Sequence, residues 1–131
     1  MERLIIEYLS SPDMRIKSGA AWALGEYGSS AAAPPLWNAL ADFHSQWKGK
    51  EAQLANPSSM GASGIEYALV IALLGPNRAW KIREEDLDHL QELCSTTFCR
   101  DEILRWCARA RSDDGPAVDY PRNCLQWLSR R

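Results

Sequence analysis

Four cysteines and two histidines are the residues of this chain best suited to metal or nucleophilic chemistry. Cys94, Cys99, Cys107 and Cys124 all fall in the C-terminal third, separated by four, seven and sixteen residues, and these spacings match no standard zinc pattern. Three of them sit on apolar faces of predicted helices, where free cysteine packs as a small hydrophobe. His44 precedes Ser45 and His89 precedes Leu90, so neither begins the His-Glu-x-x-His pattern of a zinc protease. His89 could join Cys94 and Cys99 as a soft ligand set, yet on one continuous helix His89 and Cys94 point about 140° apart. Gly61-Ala62-Ser63-Gly64 lacks the strand and the lysine of a phosphate cradle, and reads as a flexible lead-in to a helix. These residues predict no catalytic constellation, no cofactor and no metal centre.

Arginine is the next candidate. Arg105 and Arg109 lie one helical turn apart, with Arg100, Arg111 and the terminal Arg130-Arg131 nearby, which could make a phosphate-binding strip. Asp101 and Glu102 stand four and three residues before Arg105, so a solvated face with local pairs is the simpler reading. The five acids between Glu84 and Glu92 likewise read as an exposed helix face with a stabilised first turn. With 15 basic against 17 acidic residues and a formal net charge of −2, the chain has no overall electrostatic reason to bind nucleic acid or anionic lipid. Its longest apolar run, Ala68 to Leu74, is far short of the roughly 20 residues that span a bilayer. Met1 to Glu7 lacks the apolar core of a secretory signal. The expectation is a cytoplasmic protein with no membrane partner. Residues 1–131 suit one domain, able to bury roughly 68% of its unfolded surface.

Helices must position all of these groups, because every long apolar pattern has a period of about 3.6 and none alternates. Leu4, Ile5, Tyr8 and Leu9 predict the first apolar face. Ser11 then serves as N-cap of a second helix, with Pro12 at its first position and Asp13 against the positive end of the dipole. Along it Ile16, Ala20, Ala23, Leu24 and Tyr27 form one stripe. Asp13 and Lys17 make a favourable pair one turn apart, and Gly28 is the stop. The small Gly19, Ala20 and Ala21 allow a neighbouring helix to approach closely.

The stretch Ser11 to Gly28 resembles the second helix of a HEAT repeat, of the subgroup first noticed in phycobilin lyases. That family shows an Asp-Pro-Asp turn, a Val-Arg pair and an Ala-Leu-Gly ending, represented here by Pro12-Asp13, Ile16-Lys17 and Ala23-Leu24-Gly25. Ser11 replaces the first acid and Lys17 the arginine. Lysine cannot make the forked contact of arginine, so the family's ladder of inter-repeat hydrogen bonds is weakened here. The resemblance is specific over the first third of the chain and fades beyond it. It implies an all-α fold: an α-α superhelix of about three HEAT-like antiparallel helix pairs, stacked right-handed, plus a C-terminal helix.

Beyond the resemblance the helical reading continues. Pro34-Pro35 opens a third helix with Leu36, Leu40, Phe43 and Trp47 on its face. The polar segment Lys48 to Ser63, with room for a short helix around Glu51 to Leu54, is expected to be the most mobile internal part. A fourth helix, Gly64 to Leu74, is apolar on every side from Ala68 onward and is therefore expected at the centre, between others. A fifth starts at Arg83 or Glu84 and buries Leu87, Leu90 and either Leu93 or Cys94. A sixth runs from about Arg100 to Arg111 with Ile103, Trp106, Cys107 and Ala110 on one face. A last helix, Pro121 to Leu128, offers Cys124, Leu125 and Leu128.

Six tryptophans exceed what a core of this size needs. Trp47 and Trp106 fall on predicted core faces, whereas Trp22 sits about 120° from Ile16 around its helix. Trp37 shares a stripe with Ala41, His44 and Lys48. Packing between repeats and contact with a partner both account for Trp22 and Trp37. In stacked helix pairs the second helix usually lines the inner surface, which puts the candidate partner-binding residues at Arg15, Trp22, Glu26, Trp37 and His44. The resemblance implies a non-enzymatic scaffold for a protein partner. Its phycobilin-lyase branch implies instead a tetrapyrrole or other small-molecule binding subunit. A HEAT-like DNA-repair glycosylase would need a basic concave face, which the net charge opposes. The chain also starts directly in an apolar helix, as expected of a segment of a longer solenoid or of an end covered by another copy in a homo-oligomer.

Overall fold

Asp13, and not Ser11, starts the second helix. In the computed structural model, which describes residues 1–54, 60–75, 77–108, 126–127 and 129–130, the Asp13 carboxylate accepts from Arg15 N at 2.9 Å and Ile16 N at 3.3 Å. Ser11 Oγ accepts from Asp13 N one step earlier. A cap of this kind contributes about 1 kcal/mol, and it turns the carboxylate to the backbone instead of to Lys17. The helix so started, α2, runs Met14–Tyr27 and ends at Gly28, whose N–H donates to Leu24 O at 3.0 Å.

The covered face of α2 shares Ala20 and Leu24 with the predicted stripe but not its two ends. Ala20, Ala21, Leu24 and Gly25 are buried, while Ile16 and Tyr27 are exposed. The reason is a close neighbour. A Cβ built on Gly25 would stand 2.7 Å from Ala72 Cα, so the two backbones touch where no side chain separates them. Small residues therefore occupy the buried side and the larger Ile16 and Tyr27 are turned outward. α1 (Glu2–Tyr8) covers Ile5, Ile6 and Leu9, leaving Leu4 and Tyr8 outside, because a two-turn helix packed on α2 shields one narrow strip. Its start is tied to the turn after α2: Glu2 accepts from Ser29 N and from Ser29 Oγ at 2.8 Å, bonds that hold its carboxyl below the ordinary carboxylate range.

After a single turn of 3-10 helix at Ser30–Ala32, α3 (Ala33–Trp47) carries both prolines in its first turn and buries Leu36, Leu40 and Phe43, with Trp47 half-buried beside them. This face is the predicted one. Gly49, at φ +82°, makes the turn into a short α4 (Glu51–Leu54). Residues 55–59 lie outside the described part, so the expected mobility of Lys48 to Ser63 is judged only at its ends. There α5 (Met60–Leu74) begins four residues before the predicted Gly64.

α5 is the central helix, as its all-round apolarity predicts. It packs against α2, α3, α4 and α7, and Leu69, Val70, Leu73 and Leu74 are fully buried. The chain leaving it folds back over its last carbonyls: Arg78 Nη1 donates to Gly75 O at 2.9 Å and Trp80 Nε1 to Leu73 O at 3.1 Å. Next, α6 (Glu84–Leu93) is preceded by Arg83, whose N–H donates to Asp86 at 2.9 Å, and it buries Leu87 and Leu90, with Cys94 just beyond it. α7 (Thr97–Ala108) starts three residues earlier than predicted and buries Cys99, Ile103 and Cys107. Of the predicted last helix, Gln126 and Trp127 are described and helical, while its Cys124, Leu125 and Leu128, like Ala110 of the sixth, lie outside the described residues. Trp127 is fully buried and donates to Asp88 Oδ1 of α6 at 2.8 Å.

The described residues hold seven α-helices and no strand, so the fold is all-α. α1 packs on α2, α3 on α5 and α6 on α7; α5 also joins α2 to α7, and α3 meets α6.

Two glycines of α2 should respond with opposite sign. Gly25→Ala sets a methyl against Ala72 and should cost about 1–3 kcal/mol by overpacking, despite alanine's better helix propensity. Gly19, with nothing within 4 Å of a Cβ, should gain up to about 1 kcal/mol on replacement by alanine. Urea unfolding of both variants checks the pair, and equal signs would contradict the contact.

Candidate functional site

The outer side of α2 is set by its inner side. Once Ala20, Ala21, Leu24 and Gly25 face α5, helical geometry puts Arg15, Gly19, Trp22 and Glu26 on one ridge, roughly opposite. Trp22 is 56% exposed, and its ring meets that of Tyr27, 79% exposed, edge to face at 5.8 Å. Arg15 is exposed at one end of the ridge, and at the other Glu26 accepts from Asn77 Nδ2. A large aromatic surface stands here between an exposed cation and an anion.

Trp37 and His44 belong elsewhere. Trp37 is half-buried on α3 and stacks on His89 of α6, with centroids 5.1 Å apart and planes at 28°. His44 is half-buried one face-repeat later, its Nδ1 3.3 Å from Ser95 Oγ in the turn after α6. The five residues expected on one surface thus fall into two groups: Arg15, Trp22 and Glu26 on the α2 ridge, and Trp37 and His44 in the seam between α3 and α6.

A third group was not anticipated from the sequence. Glu66 is the one acid of α5, and it is completely buried. Its Oε2 accepts from Ser95 N at 2.8 Å, and its Oε1 accepts from Thr96 N at 3.2 Å and Thr96 Oγ1 at 2.7 Å. Thr96 Oγ1 in turn accepts from Cys99 N at 3.2 Å. A buried carboxylate is tolerable only when hydrogen-bonded, and here backbone donors at the start of α7 supply that. No cationic side chain pairs with Glu66 among the described residues. The interaction ties the central helix to α7.

Cys94 and Cys99 flank this carboxylate. Their sulfurs and a Glu66 oxygen lie within 4.8 Å of one another. A hydrogen bond with Cys94, then burial, then the Glu66 charge push the Cys99 thiol well above its ordinary range. Held as a neutral thiol, Cys99 is a poor nucleophile. Cys94 and Cys99 are free thiols and, like Cys107, are buried, while Cys124 lies outside the described residues.

Above the turn opens a cavity of about 1040 Å³ between α4, α5 and α7. Leu54, Tyr67 and Phe98 give it apolar walls, Ser95 and Thr96 line it beside the Glu66 carboxylate, and Glu51 and Arg100 bring opposite charges. The Tyr67 and Phe98 rings are 5.7 Å apart, and the Arg105 guanidinium lies 5.9 Å from the Phe98 centroid. Arg105 is also paired with Glu102 at 2.7 Å, as the local-pair reading of the arginines expects.

No protein-family model, curated protein or solved structure matches the chain.

Glu66→Gln keeps the shape but turns an amide donor toward the N–H groups of Ser95 and Thr96. Loss of charge-assisted bonds to buried donors should lower stability by about 2–3 kcal/mol. Denaturant unfolding measures it, and a change under about 0.5 kcal/mol, the size of an ordinary surface substitution, would mean that the carboxylate does not hold α7.

Proposed function

We propose that this chain is a non-enzymatic scaffold of HEAT-like helix pairs that binds a protein partner through the ridge of α2. The observation that carries the reading is the exposed Trp22 ring, met edge to face by Tyr27, on a ridge that also bears Arg15 and Glu26. Aromatic anchors within a charged rim are the features protein interfaces select, and single tryptophans often dominate their energy. The packing scheme supports the repeat reading: three sequential pairs, with α2, α5 and α7 in contact along one layer, is the order a stack of such pairs requires. Arg15, Trp22 and Glu26 are assigned to the partner; Trp37 and His44 serve the seam between α3 and α6.

The buried free thiols of Cys94 and Cys99 fit a reducing, cytoplasmic setting, and among the described residues no helix is long and apolar enough to cross a membrane. A second reading, a tetrapyrrole or other small-molecule subunit, is favoured by the cavity beside Tyr67 and Phe98, whose volume of about 1040 Å³ suits a ligand of that size. Gly64 lines that cavity and has open space around it, so Gly64→Trp fills it and separates the two readings.

Trp22→Ala should weaken partner binding by about 2 kcal/mol or more while costing less than about 1 kcal/mol of folding stability. Trp37→Ala, which empties the stack on His89, should cost on the order of 3 kcal/mol in folding. Thermal melts and calorimetric titration with the captured partner give both numbers. A large stability loss from Trp22→Ala would remove the surface, and bilin binding abolished by Gly64→Trp alone would favour the second reading.

A further inference from the structure

We propose that Glu66, Cys94 and Cys99 form a binding site for one thiophilic divalent cation, best matched by zinc. Against the expectation drawn from cysteine spacing, two thiols and a carboxylate from three different segments converge. Glu66 comes from the middle of α5, Cys94 from the end of α6 and Cys99 from the first turn of α7. None is more than 1% exposed.

The donor set is the one zinc prefers: sulfur, sulfur and a carboxylate oxygen, with sulfur in the majority. Tetrahedral zinc holds its sulfurs about 3.8 Å apart and a sulfur and an oxygen about 3.5 Å apart, given bonds of about 2.3 and 2.0 Å. The three donor atoms already lie within 4.8 Å of one another, so closing on a cation needs each pair to approach by at most about 1.0 Å between the sulfurs and about 1.3 Å between a sulfur and the oxygen.

The outer contacts are also those a metal site needs. Thr96 N and Oγ1 hold Glu66 Oε1 and Ser95 N holds Oε2, so the carboxylate is fixed from the side of the turn. Ligating carboxylates are typically fixed by such second hydrogen bonds. The backbone carbonyl of Cys94 is held by Arg100 Nη2 at 3.2 Å, which steadies the turn carrying both cysteines. The three donors do not themselves line the cavity, but Ser95 and Thr96, which bind Glu66, do, so a cation reaches the cluster through that wall when the turn opens. A water from that side completes four-coordination. Binding exchanges the two thiol protons for the metal, so a 2+ ion meets three anionic donors, and the site then carries one net negative charge.

The experiment titrates the full-length, reduced, metal-free chain with Zn2+ in competition with a chromophoric chelator, and with Co2+ as spectroscopic probe. One equivalent of Zn2+ should bind, and Co2+ should give an intense thiolate-to-metal charge-transfer band. Cys94→Ser and Cys99→Ser should each weaken Zn2+ binding at least tenfold, while Cys107→Ser, a buried cysteine of the same helix outside the cluster, should leave it unchanged. Far-UV circular dichroism of each metal-free variant shows whether it folds. Where one does not, the wild-type Co2+ spectrum decides, because a site without two thiolates lacks that band. No stoichiometric Zn2+ uptake, a Co2+ complex without sulfur character, or affinity unchanged in both Cys94→Ser and Cys99→Ser overturns the site.

Discussion

The contact between Gly25 and Ala72 is the constraint from which the rest of this molecule follows. Where α2 crosses α5 there is no room for a Cβ on residue 25, so the two helices meet backbone to backbone. That approach selects Ala20, Ala21 and Leu24 as the remaining contact residues and settles the rotation of α2 about its own axis. Rotation decides exposure. With the small residues inside, Trp22 and Tyr27 have nowhere to go but out, and the ridge assigned to a partner is a geometric consequence of a glycine on the other side of the helix.

α5 serves the other half of the molecule by a different kind of interaction. Toward α2 and α3 it offers apolar surface, which is non-directional and tolerates small shifts. Toward α7 it offers one buried carboxylate whose three hydrogen bonds to Ser95 and Thr96 fix both the start of α7 and its distance from the central helix. The same interaction gathers Cys94 and Cys99 around a charged oxygen. A buried acid needs compensation, and the turn leading into α7 provides it through the backbone N–H groups of Ser95 and Thr96. The cavity above the turn, the thiol pair below it and the seam formed by His44 and Ser95 all meet at this one junction.

The parts of the fold legible in the sequence are those where large apolar residues mark the buried side. Leu36, Leu40 and Phe43 define α3 without ambiguity, and Leu69 to Leu74 announce a helix covered all round. The rotation of α2 is only half legible, because apart from Leu24 its buried face is alanine and glycine, whose weak hydropathy is outweighed by Ile16 and Tyr27 on the outside. Trp22 and Trp37 look alike from the sequence, each off its helix's main stripe. They differ because α6 covers that side of α3, a neighbour that no local pattern reveals. Glu66 was missed since an acid reads as surface by default. The one available signal was its place directly before a run apolar on every side. Cysteine spacing describes ligands carried by one local segment, so it does not reveal that Glu66 of a distant helix lies beside Cys94 and Cys99.

The exposed aromatic ridge depends on α2 being pressed against α5 in one orientation. The most direct measurement is a nuclear Overhauser spectrum of the isotope-labelled chain, read between the Gly25 α-protons and the α-proton and methyl of Ala72. The account predicts strong cross-peaks there and none from Trp22 ring protons to any α5 side chain buried in the core. Strong contacts from the Trp22 indole to Leu69 or Leu73, with Gly25 silent toward Ala72, would contradict it, since α2 would then be turned the other way and its aromatic ridge would be part of the core.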